Sequence, residues 1–310
     1  MNQSKFYKWK RSWKKDRPFL LMCIPALVFF LIFAYLPMPG IYVAFVNFNY
    51  NKGIFGSEFV GFNNLKFIFM SGKLGMLVRN TVLYNIAFIL TSTTMQILIA
   101  LLFNELKNKY FRKFAQSFMI LPNFISYVLV GVFGFALFNS TNGIFNTIIQ
   151  NLGGESKNFY SDPAIWPVIL VIINLWKGAG YGSIVYFAAL MGMDAEMFEA
   201  AKVDGVNSWQ KILYITLPCL RPTVIILFLL SIGGILRGNF DLFYNMIGGS
   251  NVLLLDTTDV LETFIFRAMV SNANFSTAAA VSFVQSIFGL VLVLTTNTIV
   301  KKFEPDYALF

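Results

Sequence analysis

The chemistry open to a chain is bounded by the side chains it owns. This one has no histidine and only two cysteines, Cys23 and Cys219. The commonest general base, the commonest metal ligand and the usual physiological pH switch are therefore missing. A histidine triad, a His-ligated zinc, a four-cysteine metal site and a disulfide framework are excluded within one chain. No G-x-x-x-x-G-K-[ST] phosphate loop occurs either, since Ser71-Gly72-Lys73 lacks the earlier glycine. Two features remain. Lys177 lies inside a long apolar run, where a charge is costly and points to a cavity or a partner. Met193 to Pro222 (MDAEMFEAAKVDGVNSWQKILYITLPCLRP) is polar, too short to cross a bilayer, and punctuated in a definite way.

The elements that position these residues follow from composition. Of 310 residues, 57% are hydrophobic, 13% are charged and 35 are Phe, and the mean hydropathy is +0.66. A water-soluble globule carries roughly 25% charged residues, so this composition argues against a soluble enzyme. A membrane span needs about 20 apolar residues. Six runs qualify: 18–37, 81–103, 115–138, 164–190, 217–237 and 279–300. Pro25, Pro122 and Pro167 fall inside them, where neighbouring helices can absorb a kink. The fold class read from this pattern is all-α integral membrane, with six transmembrane helices.

Basic residues set the orientation. Sixteen of the 24 Lys and Arg flank alternate loops on one side: Lys5 to Arg17, Lys107 to Lys113, Lys202 to Arg221, and Lys301 with Lys302. Both termini are expected in the cytoplasm. The net charge of +9 then reflects the positive-inside bias rather than a nucleic-acid face. The first run is followed by Leu36-Pro37-Met38-Pro39, which is no small-residue cleavage site, and reads as an uncleaved anchor. The expected organisation is a basic cytoplasmic segment 1–17, one transmembrane domain 18–303 containing a cytoplasmic loop 192–218, and a cytoplasmic tail 304–310. Outside, Tyr42 to Tyr50 (YVAFVNFNY) is either a short strand or, in the plainer reading, an interfacial belt of rings. Asn139 to Gly154 reads as a short helix between turns.

Within the loop, Asp194 can cap a helix with Glu196 in its first turn that runs to Gly205, the residue best able to take positive φ at a helix end. A second helix is expected to begin near Asn207 or Ser208 and to end against Leu217-Pro218. Ala200 and Ala201 permit close approach, Phe198 and Val203 offer apolar contact, and Glu199 and Asp204 offer charge. The plain reading is an ordinary amphipathic loop; the other is a docking piece for a partner groove. The residue order favours the second. Glu199, Ala200, Ala201, Gly205, Ile212, Leu217 and Pro218 closely resemble the cytoplasmic Glu-Ala-Ala signature of binding-protein-dependent ABC importer permeases. Asn174 to Gly178, Gly238 to Met246, Thr258 to Arg267 and the stretch from Ala279 are similar to the branch that handles oligosaccharides and polysaccharide fragments.

That resemblance implies the type I importer permease fold, with Glu196, Phe198, Glu199, Ala200, Ala201, Asp204, Gly205, Leu217 and Pro218 coupling it to ATPase subunits. It implies a second homologous permease, two ATP-binding subunits that carry the ATP and Mg, and an extracellular or periplasmic solute-binding protein. This chain itself would hold no cofactor and no metal, and would sit in a bacterial cell membrane. Sugars are held by aromatic faces and fixed hydrogen-bond groups, so Trp176, Lys177, Tyr181, Asn239, Asp241, Tyr244 and Asn245 are the substrate-pathway candidates. Lys177 suits an acidic sugar or, alternatively, a bond across the interface with the partner permease; Trp176 and Tyr181 are more often packing residues than ligands, and Asp241 either lines the external gate or caps a helix. An ion-coupled secondary transporter or channel is the competing class, but it calls for internal repeats and intramembrane carboxylates, and the six runs have no Asp or Glu at their centres.

Overall fold

The computed structural model describes residues 3–249 and 251–303. Helix α1 spans Gln3–Phe30 and continues through a π-turn at Leu31–Tyr35 and a 3-10 turn at Met38–Phe45. A hairpin follows, in which β1 (Val46–Asn49) is joined through α2 (Gly53–Gly56) to antiparallel β2 (Ser57–Phe59), with Val46 opposite Phe59. Next come α3 (Asn63–Met70), α4 (Lys73–Glu105), α5 (Lys109–Phe124), α6 (Tyr127–Phe138), α7 (Ile144–Asn151) and α8 (Trp166–Met191). The chain closes with α9 (Ala195–Val203), α10 (Ser208–Lys211), α11 (Leu217–Gly233), α12 (Phe240–Ile247), α13 (Leu255–Thr258), α14 (Leu261–Val270) and α15 (Phe275–Phe303). The expected tail 304–310 lies outside the described residues, as do the first two positions of the segment 1–17.

Among the described residues, five helical segments are by themselves long and apolar enough to cross a bilayer: Asp16–Phe45, Lys73–Glu105, Trp166–Met191, Ser208–Gly233 and Phe275–Lys302. The third apolar run, expected as one span kinked at Pro122, is the helix pair α5 and α6, bent by 89°; counted as one broken span it makes the sixth. Pro122 sits in the last turn of α5. Ile125 and Ser126 then turn extended, and the Ser126 hydroxyl caps α6 by accepting from Leu129 N at 3.4 Å. Both halves are apolar, so hydropathy alone does not reveal the break.

The expected stop at Leu217-Pro218 is also absent. The chain passes from α10 into α11 through a π-turn at Ile212–Thr216, where Leu217 N donates to Ile212 O. Pro218 follows directly on that π-turn, whose wider winding takes up the missing N–H and the ring. Pro167 occupies the first turn of α8 and kinks nothing, and α1 runs on through Pro25. The aromatic stretch expected as an interfacial belt is a 3-10 turn leading into β1. The strand alternative holds because Ser276 donates to Val46 O at 2.8 Å and accepts from Phe48 N at 2.9 Å, tying β1 to α15. The short helix expected between Asn139 and Gly154 is α7.

Helix packing places the rest. α4 lies along α8, α5 also packs on α8, α6 on α12, and α15 on both α11 and α14. Gly180 allows the close approach of α5 to α8, because a Cβ there would lie 1.8 Å from Met119 O. Gly131 of α6 does the same against Asn245 O of α12, at 2.3 Å. Small residues at such crossings let backbones approach, the usual means of packing where lipid is no less apolar than the helices. The first span differs: none of its most apolar window is buried against the chain, so its surface is left for lipid or another subunit.

Gly180→Ala is therefore expected to destabilise the detergent-solubilised protein by about 1–3 kcal/mol, the usual cost of overpacking. Gly178→Ala, which meets nothing within 4 Å, should leave the melting temperature unchanged or raised. Equal melting of the two variants would refute this account of the α5–α8 contact.

Candidate functional site

Lys177 is fixed by the break between α5 and α6. The last carbonyls of a helix have no intrahelical donors, and in hydrocarbon no water replaces them. Lys177, on the middle of α8 and 7% exposed, supplies the donors. Its ammonium donates to Pro122 O at 3.3 Å, Asn123 O at 2.8 Å and Ile125 O at 2.5 Å. Lysine has three donors, and all three are taken. The positive charge faces the negative end of the α5 dipole, and the Tyr127 ring covers it with its centroid 4.7 Å away.

Tyr127 carries the arrangement onward. Its hydroxyl accepts from Asn239 Nδ2 at 2.7 Å, while Asn239 Oδ1 accepts from Leu242 N at 3.2 Å and caps α12. Two of the substrate-pathway candidates, Lys177 and Asn239, are thus brought together through a residue that sequence reasoning missed. The aromatic at 127 follows the capping Ser126, and that juxtaposition was the available signal. The other candidates lie apart. Trp176 lines an apolar hollow with Val130, Phe133 and Ile172, and Tyr181 is exposed. Tyr244 joins Phe240 and Phe266 in an aromatic trio with centroids 4.8–5.1 Å apart. Asn245 Nδ2 donates to Asp241 O at 2.7 Å, and the Asp241 side chain is exposed.

At the end of the bundle remote from α12–α14, residues 192–218 form a helix, a sharp turn and a second helix. Asp194 Oδ1 accepts from Glu196 N at 3.0 Å and starts α9. The helix closes with Asp204 N donating to Ala200 O and Val206 N to Ala201 O, both at 3.0 Å, and Gly205 takes φ +73°. Asn207 and Gln210 make a reciprocal capping box at the start of α10. Ala201 is buried and Phe198 half-buried, whereas Glu196, Glu199, Ala200, Asp204, Gly205 and Pro218 are exposed and Leu217 is half-buried. Val203 is 87% and Trp209 82% exposed. The loop is fastened to the bundle by Lys211 Nζ to Glu105 Oε1, 2.6 Å, joining α10 to the end of α4, and by Met197 against Cys219 at 4.0 Å.

The opposite end is stitched to α4 by buried polar groups that were not foreseen. Asn80 Nδ2 donates to Asp256 O and Asp259 O, both at 3.1 Å, Tyr84 donates to Thr257 O at 3.0 Å, and Thr81 accepts from Leu261 N at 3.0 Å. The buried Asp259 pairs with Arg267 and accepts from Thr263 Oγ1 at 2.7 Å. Among the described residues, no group of three or more Cys, Asp and Glu is placed to hold a metal ion.

Comparison with known proteins places this architecture. Residues 96–308 match the family model described as binding-protein-dependent transport system inner membrane component. The chain is similar to protein LplB of Bacillus subtilis strain 168, with 33% identity over 99% of this chain and 95% of that protein. It is also similar to the polygalacturonan/rhamnogalacturonan transport system permease protein YteP of the same organism, with 32% identity over 92% of this chain and 88% of that one. Among solved structures, a bacterial alginate ABC transporter in complex with an alginate pentasaccharide-bound periplasmic protein contains a chain that superposes with a TM-score of 0.84 at 31% identity, covering 94% of this chain and 97% of its own.

If Lys177 is the clamp of the broken helix, Lys177→Met leaves the carbonyls of Asn123 and Ile125 without a donor, while Pro122 O keeps Ile125 N at 3.2 Å. It should destabilise the protein by about 3 kcal/mol, at the upper end for unsatisfied buried groups. Thermal unfolding in detergent, with saccharide absent, measures this directly. A melting temperature equal to that of the unaltered protein would mean that those carbonyls find other donors.

Proposed function

The chain belongs to the family of binding-protein-dependent transport system inner membrane components, and from that premise we propose the following division of labour. The chain is the permease of an ATP-driven importer of oligosaccharides or polysaccharide fragments. One relative carries the name of a polygalacturonan/rhamnogalacturonan transport system permease, and a structural neighbour was solved with an alginate pentasaccharide-bound periplasmic protein. It spans the membrane several times, with both termini in the cytoplasm as the sixteen basic residues on one side of the spans argue. The cargo arrives on a solute-binding protein at the outer face. A second, homologous permease completes the pathway, and two ATPase subunits bind from the cytoplasm and hydrolyse ATP outside this chain.

The observation that carries the coupling assignment is the build of residues 192–218. α9 presents Glu196 and Glu199 to solvent, Asp204 just beyond its end is exposed as well, and Val203 beside it is 87% exposed. Its base is held by two spans, by Lys211 on Glu105 of α4 and by the unbroken run from α10 into α11. A force applied to the exposed face is therefore delivered to α4 and α11 together. Two positions of those spans give the pathway open outward and open inward, and the loaded binding protein and the nucleotide state bias the choice between them.

Glu199→Lys and Gly205→Pro should abolish uptake and retention of the ATPase subunits during purification while leaving membrane insertion intact. Proline cannot take the positive φ that Gly205 adopts. Full retention of the ATPase by both variants would remove the loop from the coupling path. Lys211→Glu and Glu105→Lys should each lower uptake while changing stability by less than about 1 kcal/mol, because the pair is half-exposed. The double exchange should restore uptake, and transport rates in proteoliposomes would show whether it does.

A further inference from the structure

Beyond the pathway candidates already named, a polar cleft lies between the end of α11, α14 and the first half of α15. Its volume is about 490 Å³, and its polar lining consists of Arg237, Glu262, Ser282, Gln285 and Ser286, with Gly289 beside them. Ser282, Gln285, Ser286 and Gly289 are spaced three, four and seven residues along α15, so they share one face of a membrane-spanning helix. Hydrogen-bonding groups on such a face are costly against lipid and belong against a partner or a water-filled path. Two features favour the path. The surface is concave, with a volume inside the range of about 300–1,000 Å³ typical of small-molecule sites, and it holds an exposed guanidinium.

The hydrogen-bonding capacity of the cleft is only half used. Ser282 donates to Ala278 O at 2.9 Å and Ser286 to Ser282 O at 2.8 Å, so both hydroxyl oxygens remain as acceptors. Gln285 spends its amide hydrogens on Leu236 O at 2.7 Å and Glu262 Oε1 at 2.8 Å, which leaves its carbonyl oxygen. Glu262 is the acid facing Arg237 across the cleft, and burial raises its pKa. Among the described residues, Arg237 makes no ion pair within 4 Å; Asn85 Nδ2 holds its backbone carbonyl at 3.1 Å and leaves the guanidinium free to the cleft. Acceptors for sugar hydroxyls thus surround one planar cation, whose fork matches a carboxylate.

We propose that this cleft is a carbohydrate subsite on the translocation path, in which Arg237 takes the carboxylate of an acidic sugar unit while Ser282, Gln285 and Ser286 accept from its hydroxyls. The proposal rests on the import reading above, and it makes Arg237, rather than Lys177, the residue that selects for acidic saccharides.

The test uses the complete complex, this chain with its second permease and ATPase subunits, in nanodiscs. Ser286→Cys is introduced in a background with Cys23 and Cys219 replaced by serine. The readout is labelling by a membrane-impermeant thiol reagent in the presence of tetragalacturonate or its carboxyl-reduced, neutral form. Labelling of Ser286→Cys and protection by tetragalacturonate are expected, with weaker protection by the neutral form. Adding Arg237→Gln should raise the protecting concentration of tetragalacturonate about tenfold or more, the loss of one charge-assisted contact, and leave that of the neutral form unchanged; Arg237→Lys should recover part of the loss. An unreactive Ser286→Cys, which would mean that the partner permease packs on this face, overturns the subsite, as does protection indifferent to the charge at 237. ATPase stimulation by the solute-binding protein, measured in parallel, keeps the import reading separate, since it survives failure of the subsite.

Discussion

The capping of a broken helix by one ammonium group organises half of this molecule. α5 ends within an apolar run, where of its terminal carbonyls Pro122 O accepts from Ile125 N at 3.2 Å and the next ones need a donor from outside the helix. Lys177 meets that demand with its three donors, and three carbonyls at the negative end of a helix in turn compensate a charge that the interior would otherwise reject. Each half of the arrangement makes the other tolerable. Because the lysine sits on α8, the break is held at one height on the bundle, and α6 leaves at 89° from that point.

The direction of α6 then decides what it can touch. Gly131 and Gly134 present bare backbone to Asn245 and Met246 of α12, and Tyr127 reaches Asn239 at the start of that helix. α12 in turn stands beside α14, and the loop between them is pinned to α4 by Asn80, Thr81 and Tyr84. A chain of satisfied polar groups thus runs from the middle of α8 to the far end of the bundle. In a membrane such bonds carry much of the specificity, since apolar contact alone does not distinguish a neighbouring helix from lipid.

At the other end the logic is mechanical. A π-turn lets the chain accept Pro218 without ending the helix, so the loop and α11 form one lever, and Lys211 on Glu105 ties that lever to α4. α4 is also the helix that pins the far end. A displacement at the exposed α9 and a displacement near α13 and α14 are therefore linked through one long helix, which is the connection the proposed coupling requires.

Much of this was legible in the residues alone. Composition and run length specified a multi-span helical membrane protein, because the hydrocarbon layer admits few other solutions. The capping Asp194 and Gly205 marked the start of α9 and the turn after it, because helix caps and positive φ are local properties with local residue preferences. What tertiary structure alone decided is where long-range donors go. Hydropathy reads α5 and α6 as one run, since the break lies between two apolar halves and its stabilising lysine is about fifty residues away in sequence. The same holds for the partner of Lys177: a buried charge signals that something must satisfy it, but whether a sugar, another subunit or three carbonyls of its own chain does so is settled only when the helices pack.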